Sequence, residues 1–139
     1  MAAPVELLKH VPLFHGLSEK ELKSLANNFT ERTFSEGQEL THEGSGGVGF
    51  FVLESGEARV TVDGQERRTL GPGDYFGEIA LIDGGTRSAT ITATSDGRSY
   101  GLTPWQFRPL VEENASIAWP LLEAMARRTR EIEAKSHSA

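Results

Sequence analysis

The strongest constraint on the fold is a change in hydrophobic periodicity at about residue 30. From there to about residue 103, apolar and polar side chains alternate in short runs, which is typical of half-buried strands. Asp63-Gly64 separates two such runs and is the strongest hairpin signal in the chain. Turn residues recur about every 8–12 positions. The pattern predicts a mainly β member of the α+β class, with a jelly-roll β-barrel (a double-stranded β-helix).

The residues before this region have helical spacing. Ser18 and Glu21 stand three apart, as in a capping box, where the hydroxyl accepts from the Glu21 amide and the carboxylate reaches back. The apolar residues that follow at helical spacing are Leu22, Leu25, Ala26 and Phe29. A shorter amphipathic segment, 5–11, comes before Pro12. We therefore predict packing helices within residues 1–29.

Helical signals return after the β region. Thr103-Pro104 predicts a helix start, Asn114 a break, and a longer helix is expected over about 116–135. The apolar residues expected on one side of that helix are Ile117, Leu121, Leu122, Met125 and Ile132. The aromatic residues Trp105, Phe107 and Trp119 are expected in the core or in an interface. We predict one domain, 1–139, with N-terminal helices (1–29), a barrel (30–103) and C-terminal helices (104–136).

Composition excludes several kinds of site. The 139 residues include no cysteine, which excludes disulfides, thiolate metal sites and cysteine nucleophiles. The four histidines (His10, His15, His42 and His137) lack metal-ligand spacing, so a metal enzyme on a similar barrel is not expected. The net charge of −6 disfavours a broad nucleic-acid surface. No secretory signal or membrane span is apparent, which favours the cytoplasm.

One segment, 71–90, interrupts the strand pattern. Gly77 precedes about one predicted helical turn, 78–81, and Gly84-Gly85 closes it. A helix N-terminus attracts anions, and a carboxylate such as Glu78 can accept hydrogen bonds from sugar hydroxyls. Arg87 is the one cation of the segment and can hold a phosphate with two donors. With the adjacent Ser88 hydroxyl, the segment suits a small phosphorylated sugar at the mouth of a barrel.

Gly77-Glu78-Ile79-Ala80-Leu81, followed after five residues by Arg87-Ser88-Ala89-Thr90, resembles the phosphate-binding cassette of cyclic nucleotide-binding domains. These domains occur in protein kinase regulatory subunits, cyclic-nucleotide-gated channels and bacterial catabolite activator-type regulators. The resemblance extends over nearly the whole chain. Weaker matches are 12–18, Ser35-Glu36-Gly37, Glu43-Gly44 and Ser55-Gly56-Glu57-Ala58.

The resemblance implies roles for residues in the cassette, 76–90. Glu78 would accept the ribose 2′-hydroxyl, and Arg87 would pair with the cyclic phosphate. The residues that would complete the phosphate and sugar contacts are Gly77, Ile79, Ala80, Ser88 and Ala89. Thr86 stands where the family often has proline, which loosens the turn slightly. Ser88 does not decide between cyclic AMP and cyclic GMP, because the family has a hydroxyl there in sites for either.

The resemblance also implies a lid. In the family a residue of the C-terminal helix stacks over the base, and Arg128 falls at about that position, with Arg127 and Glu131 as alternatives. Arginines near the end of a helix also complement its dipole, so a solvated face is the competing interpretation. The competing interpretation of Glu78 and Arg87 is an exposed ion pair.

These observations predict a stand-alone sensor of bacterial type that binds cyclic AMP, with cyclic GMP as the other possible ligand. No catalytic residue, metal or membrane contact is expected. Ligand would order the cassette and close the helix, whose position would signal to an unidentified downstream protein. The few residues after that helix leave no room for a helix-turn-helix, so no DNA-binding output is expected. The alternative is a protein-interaction module that forms a homodimer through the apolar side of the C-terminal helix, 117–132, without binding nucleotide.

Overall fold

The computed structural model describes residues 3–42, 49–77, 80–83 and 89–137. The helices in these ranges are α1 (Val5–Leu8), a 3-10 helix (Pro12–Phe14), α2 (Glu19–Ala26), α3 (Ala80–Asp83), α4 (Pro104–Glu113) and α5 (Ala115–His137). The strands are β1 (Thr30–Phe34), β2 (Glu39–Thr41), β3 (Phe50–Ser55), β4 (Ala58–Val62), β5 (Gln65–Leu70), β6 (Tyr75–Phe76), β7 (Thr90–Ala93) and β8 (Gly97–Leu102).

The strands form two antiparallel sheets. Within the described residues, sheet A has the order β1-β8-β3-β6 and sheet B has the order β2-β7-β4-β5. The chain alternates between the sheets, except at the β4–β5 hairpin, where Val62 pairs with Gln65. This is a jelly-roll arrangement with flanking helices, and it confirms the predicted mainly β fold.

The hairpin turn forms as its sequence predicts. Asp63 has φ 52° and Gly64 has φ 77°, so both central residues occupy the left-handed region. That conformation matches the twist of the flanking strands, and Asp-Gly tolerates it better than other pairs. The local chemistry of two residues therefore sets the register of β4 against β5.

Two hydrophobic clusters hold the layers together. The first lies between sheet A and the helices. Its members include Phe14, Leu25, Phe50, Val52, Leu81, Tyr100, Leu102, Phe107, Ile117 and Leu121. The second lies between the sheets and comprises Phe34, Leu53, Ala58, Val60, Leu70, Phe76, Ile91 and Ala93. Sheet A is therefore covered on both faces, and α3, α4 and α5 share one core with the N-terminal helices.

Both predicted helix starts have the expected caps. Ser18 Oγ accepts from the Glu21 amide at 3.2 Å, and Glu21 Oε1 accepts from the Ser18 amide at 2.8 Å, which confirms the capping box. Thr103 caps α4 and forms a second capping box with Gln106, which the sequence analysis did not identify. Asn114 ends α4, as predicted.

The apolar side predicted for the last helix is buried only in part. Ile117 and Leu121 are buried, and Met125 packs against the first cluster. Leu122 and Ile132, however, are 59% and 57% exposed. The helix continues past the body of the domain, and residues 126–135 are all exposed, so Ile132 has no core to enter.

Of the three aromatic residues expected in the core or in an interface, only one is buried. Phe107 is buried as expected, but Trp105 and Trp119 are 66% and 67% exposed. The two indoles lie outside the core, because both project from helix faces that no other described element covers. The alternative interpretation, an interface, remains a prediction. No helix in the described ranges has the length and apolar character to cross a membrane.

Candidate functional site

The two ends of the cassette are held by different sheets. It begins at β6, where Tyr75 and Phe76 pair with Val52 and Phe51 of β3 at the edge of sheet A. It ends at β7, between β2 and β4 in sheet B. The segment that carries the predicted site therefore crosses from one sheet to the other.

Gly77 has the conformation that its predicted place requires. Its φ is 88°, in a region that side chains with a Cβ rarely adopt. It follows Phe76, whose ring stacks on Phe51 with the centroids 5.3 Å apart. The chain thus leaves a stacked aromatic pair and turns at glycine, so that the start of the cassette is fixed by packing at Phe76 and by backbone geometry at Gly77.

The helical turn within the cassette continues past its predicted end. We expected a turn over 78–81, whereas α3 spans Ala80–Asp83, so it ends two residues later. Leu81 is buried in the first cluster with Phe107 of α4 and Ile117 of α5. That burial fixes the register of α3, because Leu81 is the residue that turns toward the core. It also connects the cassette to the C-terminal helices.

The far end of the cassette is held by threonine hydroxyls. Ala89 is half-buried and packs against the inter-sheet cluster. Thr41 Oγ1 donates to the Ala89 carbonyl at 3.1 Å, and Thr61 Oγ1 donates to the Thr90 carbonyl at 3.4 Å. The sequence analysis missed both threonines, because a lone hydroxyl in a strand carries no signal of its role.

The predicted site residues fall into two groups. Glu78, Ile79, Arg87 and Ser88 lie outside the described residues, so their assigned roles stay predictions. Gly77 lies near the start of the cassette, Ala80 is the first residue of α3 within it, and Ala89 lies near its far end. Arg128 lies in the exposed second half of α5, and its role over the base also stays a prediction.

The first half of α5 is fastened to the N-terminal helices. Ser116 Oγ donates to Glu21 Oε2 at 2.6 Å. This hydrogen bond, followed by the one from the Ser18 amide, lowers the pKa of Glu21. Close packing adds a second contact, because a Cβ built on Gly16 would lie 2.8 Å from Pro120 Cβ. The start of α5 is therefore fixed, whereas its second half is exposed.

A charged cluster that the sequence analysis missed lies on sheet A. Arg98 Nε is 3.3 Å from Glu31 Oε1, and Arg98 Nη1 donates to Glu54 Oε1 at 3.1 Å. Tyr100 OH donates to Glu54 Oε2 at 3.4 Å. Burial first, and then the charge of Glu54, raises the pKa of Tyr100. The three strands bring these groups together from distant positions, which no short motif could reveal.

The described residues contain no group of three or more histidine, aspartate or glutamate side chains arranged to hold a metal ion. At the far end of the cassette the Thr41 and Thr61 hydroxyls already donate to the Ala89 and Thr90 carbonyls, so they position the backbone there.

Comparison with known proteins gives the family. Residues 31–114 match the sequence profile of the cyclic nucleotide-binding domain. The chain is 34% identical over 131 residues to the cyclic AMP receptor protein of Thermus thermophilus, covering 91% of this chain and 61% of that protein. It thus spans less than two thirds of that relative.

Two solved structures are similar to the whole arrangement. The N-terminal domain of a transcriptional regulator from Streptomyces coelicolor has a TM-score of 0.84 at 30% identity, with 94% of each chain covered. The regulatory domain of Toxoplasma gondii PKA with cAMP has a TM-score of 0.70 at 32% identity, covering 81% of this chain and 44% of that one. The profile match and these likenesses agree with the two-sheet fold, and the chain belongs to the cyclic nucleotide-binding domain family.

Proposed function

We propose that the chain is a sensor that binds cyclic AMP, in preference to cyclic GMP, in the cassette 76–90. The observation that carries the proposal is the family match over 31–114, which contains the whole cassette with its Glu78 and Arg87. Relatives whose names specify cyclic AMP include the Thermus receptor and the Toxoplasma regulatory domain. Both are named as a receptor or a regulatory domain, which supports a regulatory role.

The binding step would use complementary groups. The Arg87 guanidinium would pair with the cyclic phosphate through two donors, and the Glu78 carboxylate would accept the ribose 2′-hydroxyl. Backbone amides of Gly77, Ile79 and Ala80 would surround the sugar and phosphate, with Ser88 and Ala89 completing the shell. Gly77 supports this arrangement, because its φ of 88° turns the backbone at the start of the cassette.

The response would pass from the cassette to α5. Leu81 supports this route, since it shares a buried cluster with Phe107 and Ile117. A shift of α3 on binding would therefore disturb the packing of α4 and α5. The exposed second half of α5 would close over the ligand, with Arg128 against the base. Ligand can shift that equilibrium only by binding the closed state more tightly.

Calorimetric titration with cyclic AMP, cyclic GMP and 5′-AMP tests the proposal. We expect saturable binding of one cyclic AMP per chain, weaker binding of cyclic GMP, and no binding of 5′-AMP, whose doubly charged open phosphate does not match a shell built for a cyclic diester. Absence of heat with both cyclic nucleotides at high micromolar concentration contradicts it. The stand-alone state of the sensor stays a prediction. The mass of the native polypeptide in cells tests it, because a mass well above that of 139 residues would contradict it.

A second function is favoured by one observation. Trp119 and Leu122 on α5 are 67% and 59% exposed, and large apolar side chains on one helix are a common basis for pairing with a second copy. The homodimer proposed from the sequence would cover them. A dimer in light scattering whose mass is indifferent to nucleotide, together with a null titration, favours an interaction module over a sensor.

A further inference from the structure

Thr41 is buried at a strand position where regular alternation would leave it exposed. Residues two apart in a strand share a face, yet Glu39 is exposed and Thr41 is only 9% exposed. The cause is a register shift, since Glu39 pairs with Thr92 whereas Thr41 pairs with Ile91. Two residues of β2 thus span one step of β7, and such irregularities often redirect a side chain beside a functional site.

The redirected hydroxyl has a specific partner. Thr41 Oγ1 donates to the Ala89 carbonyl at 3.1 Å. A buried hydroxyl costs free energy unless it is bonded, so valine, which has the same shape, would be the simpler residue for this position. The contact restricts the ψ angle of Ala89, the last residue of the cassette shell assigned above.

A second threonine acts from the opposite side. Strand β7 lies between β2 and β4, and Thr61 of β4 pairs with Thr90 in the ladder. Its hydroxyl also donates to the Thr90 carbonyl, at 3.4 Å, which is long and therefore a weaker bond. The first two carbonyls after Ser88 thus each accept a hydroxyl, one from each neighbouring strand.

From this geometry we infer that Thr41, assisted by Thr61, is a positioning residue for nucleotide binding. The inference rests on the proposed function. Thr41 is not among the residues assigned to contact the ligand. It holds the Ala89 carbonyl where the cassette joins β7, so that less backbone entropy would be lost at Ala89, a residue assigned to the phosphate shell, when the nucleotide binds.

The first test is a set of matched variants titrated with cyclic AMP. Thr41→Val removes the hydroxyl at constant shape, and we expect roughly three- to tenfold weaker binding, the worth of one such hydrogen bond. Thr41→Ser retains the hydroxyl and should bind within about twofold of wild type on the same scale. Thr61→Val should lose less than Thr41→Val. Thr92→Val, in the strand that directly follows Ala89, should leave affinity unchanged.

A double-mutant cycle separates positioning from general stability. If Thr41 acts through the phosphate shell, Thr41→Val should cost less in an Arg87→Lys background than in wild type. An equal loss in both backgrounds, or wild-type affinity of Thr41→Val, overturns the inference. Failure of wild type to bind any cyclic nucleotide contradicts the proposed function instead.

A measurement without nucleotide tests the positioning role of Thr41 independently of whether the chain binds a cyclic nucleotide. Amide hydrogen exchange of Ser88, Ala89 and Thr90 should be faster in Thr41→Val than in wild type, Thr41→Ser or Thr92→Val. Equal exchange rates in folded Thr41→Val and wild type also overturn the inference. If Thr41→Val does not fold, Thr61→Val gives the same comparison at the Thr90 carbonyl.

Discussion

Ser116 Oγ lies 2.6 Å from Glu21 Oε2 and joins the first turn of α5 to the first turn of α2. Glu21 Oε1 accepts from the Ser18 amide, so this one carboxylate caps α2 and is also hydrogen-bonded to α5. The hydrogen bond from Ser116 is the largest contribution that lowers the pKa of Glu21. The ionised carboxylate is therefore the form that stabilises this junction.

The first prediction concerns pH. Because folding lowers the pKa of Glu21, its stabilising contribution is complete above the ordinary value of 4.5 and is lost as the pH falls through the folded-state value. Ser116→Ala should raise the pKa of Glu21 and reduce the acid-dependent loss of stability. Carboxyl NMR titration of Glu21 measures the shift. An unchanged pKa in the variant would mean that Ser116 does not hold the carboxylate in solution.

The second prediction concerns the close contact between Gly16 and Pro120. A methyl group at Gly16 would meet Pro120 Cβ at 2.8 Å, so Gly16→Ala should destabilise the fold by about 1–3 kcal/mol. Gly71→Ala is the matched control, because a Cβ there meets nothing within 4 Å. It should be neutral or stabilise by up to about 1 kcal/mol. Equal midpoints of denaturant unfolding for the two variants contradict the packing of α5 on the N-terminal segment.

The third prediction concerns Tyr100, which is buried beside Glu54 and Glu31. The charge of Arg98 opposes the rise in the pKa of Tyr100, so Arg98→Ala should raise it further. The stability that neutral Tyr100 confers is complete below its ordinary pKa of 10.0 and is lost as the pH rises through the folded-state value. Ultraviolet titration checks this, and Tyr75→Phe in both proteins removes the signal of the other tyrosine. An unchanged or lower pKa in Arg98→Ala contradicts the cluster.

The fourth prediction follows from the homodimer proposal. If a second copy covers the exposed face of α5, Leu122→Glu should convert a dimer to a monomer in light scattering without lowering the thermal midpoint of the monomer. Glu133→Ala, on the exposed second half of the same helix, should leave the dimer intact. A wild-type protein that stays monomeric at high concentration contradicts the homodimer.

The features that the sequence predicted correctly depend on neighbouring residues. Asp63-Gly64 needs only its own left-handed conformation to make a hairpin, and Ser18 with Glu21 needs only one helical turn to make a capping box. The family, likewise, followed from a contiguous motif. These signals are local, so they can be recognised without knowing how the sheets and helices pack together.

The features that it missed join distant parts of the chain. The exposure of Leu122 depends on which elements cover α5, and helical periodicity does not predict which elements those are. Ser116 and Glu21 meet across 95 positions, and Arg98 and Glu54 across 44. The redirected Thr41 depends on a register shift between β2 and β7. Each is a consequence of tertiary packing, so the sequence pattern could give the fold class and the family but not these contacts.

The most direct test of the central claim is a calorimetric titration of wild type and Arg87→Ala with cyclic AMP, with Arg59→Ala as control. Arg59 is an exposed arginine of β4 with no ion pair among the described residues. We predict saturable binding by wild type and Arg59→Ala, and a loss of about 2–5 kcal/mol in Arg87→Ala, because the phosphate loses its charged partner. Equal affinity of Arg87→Ala and wild type, or no binding by either, would contradict the proposed site.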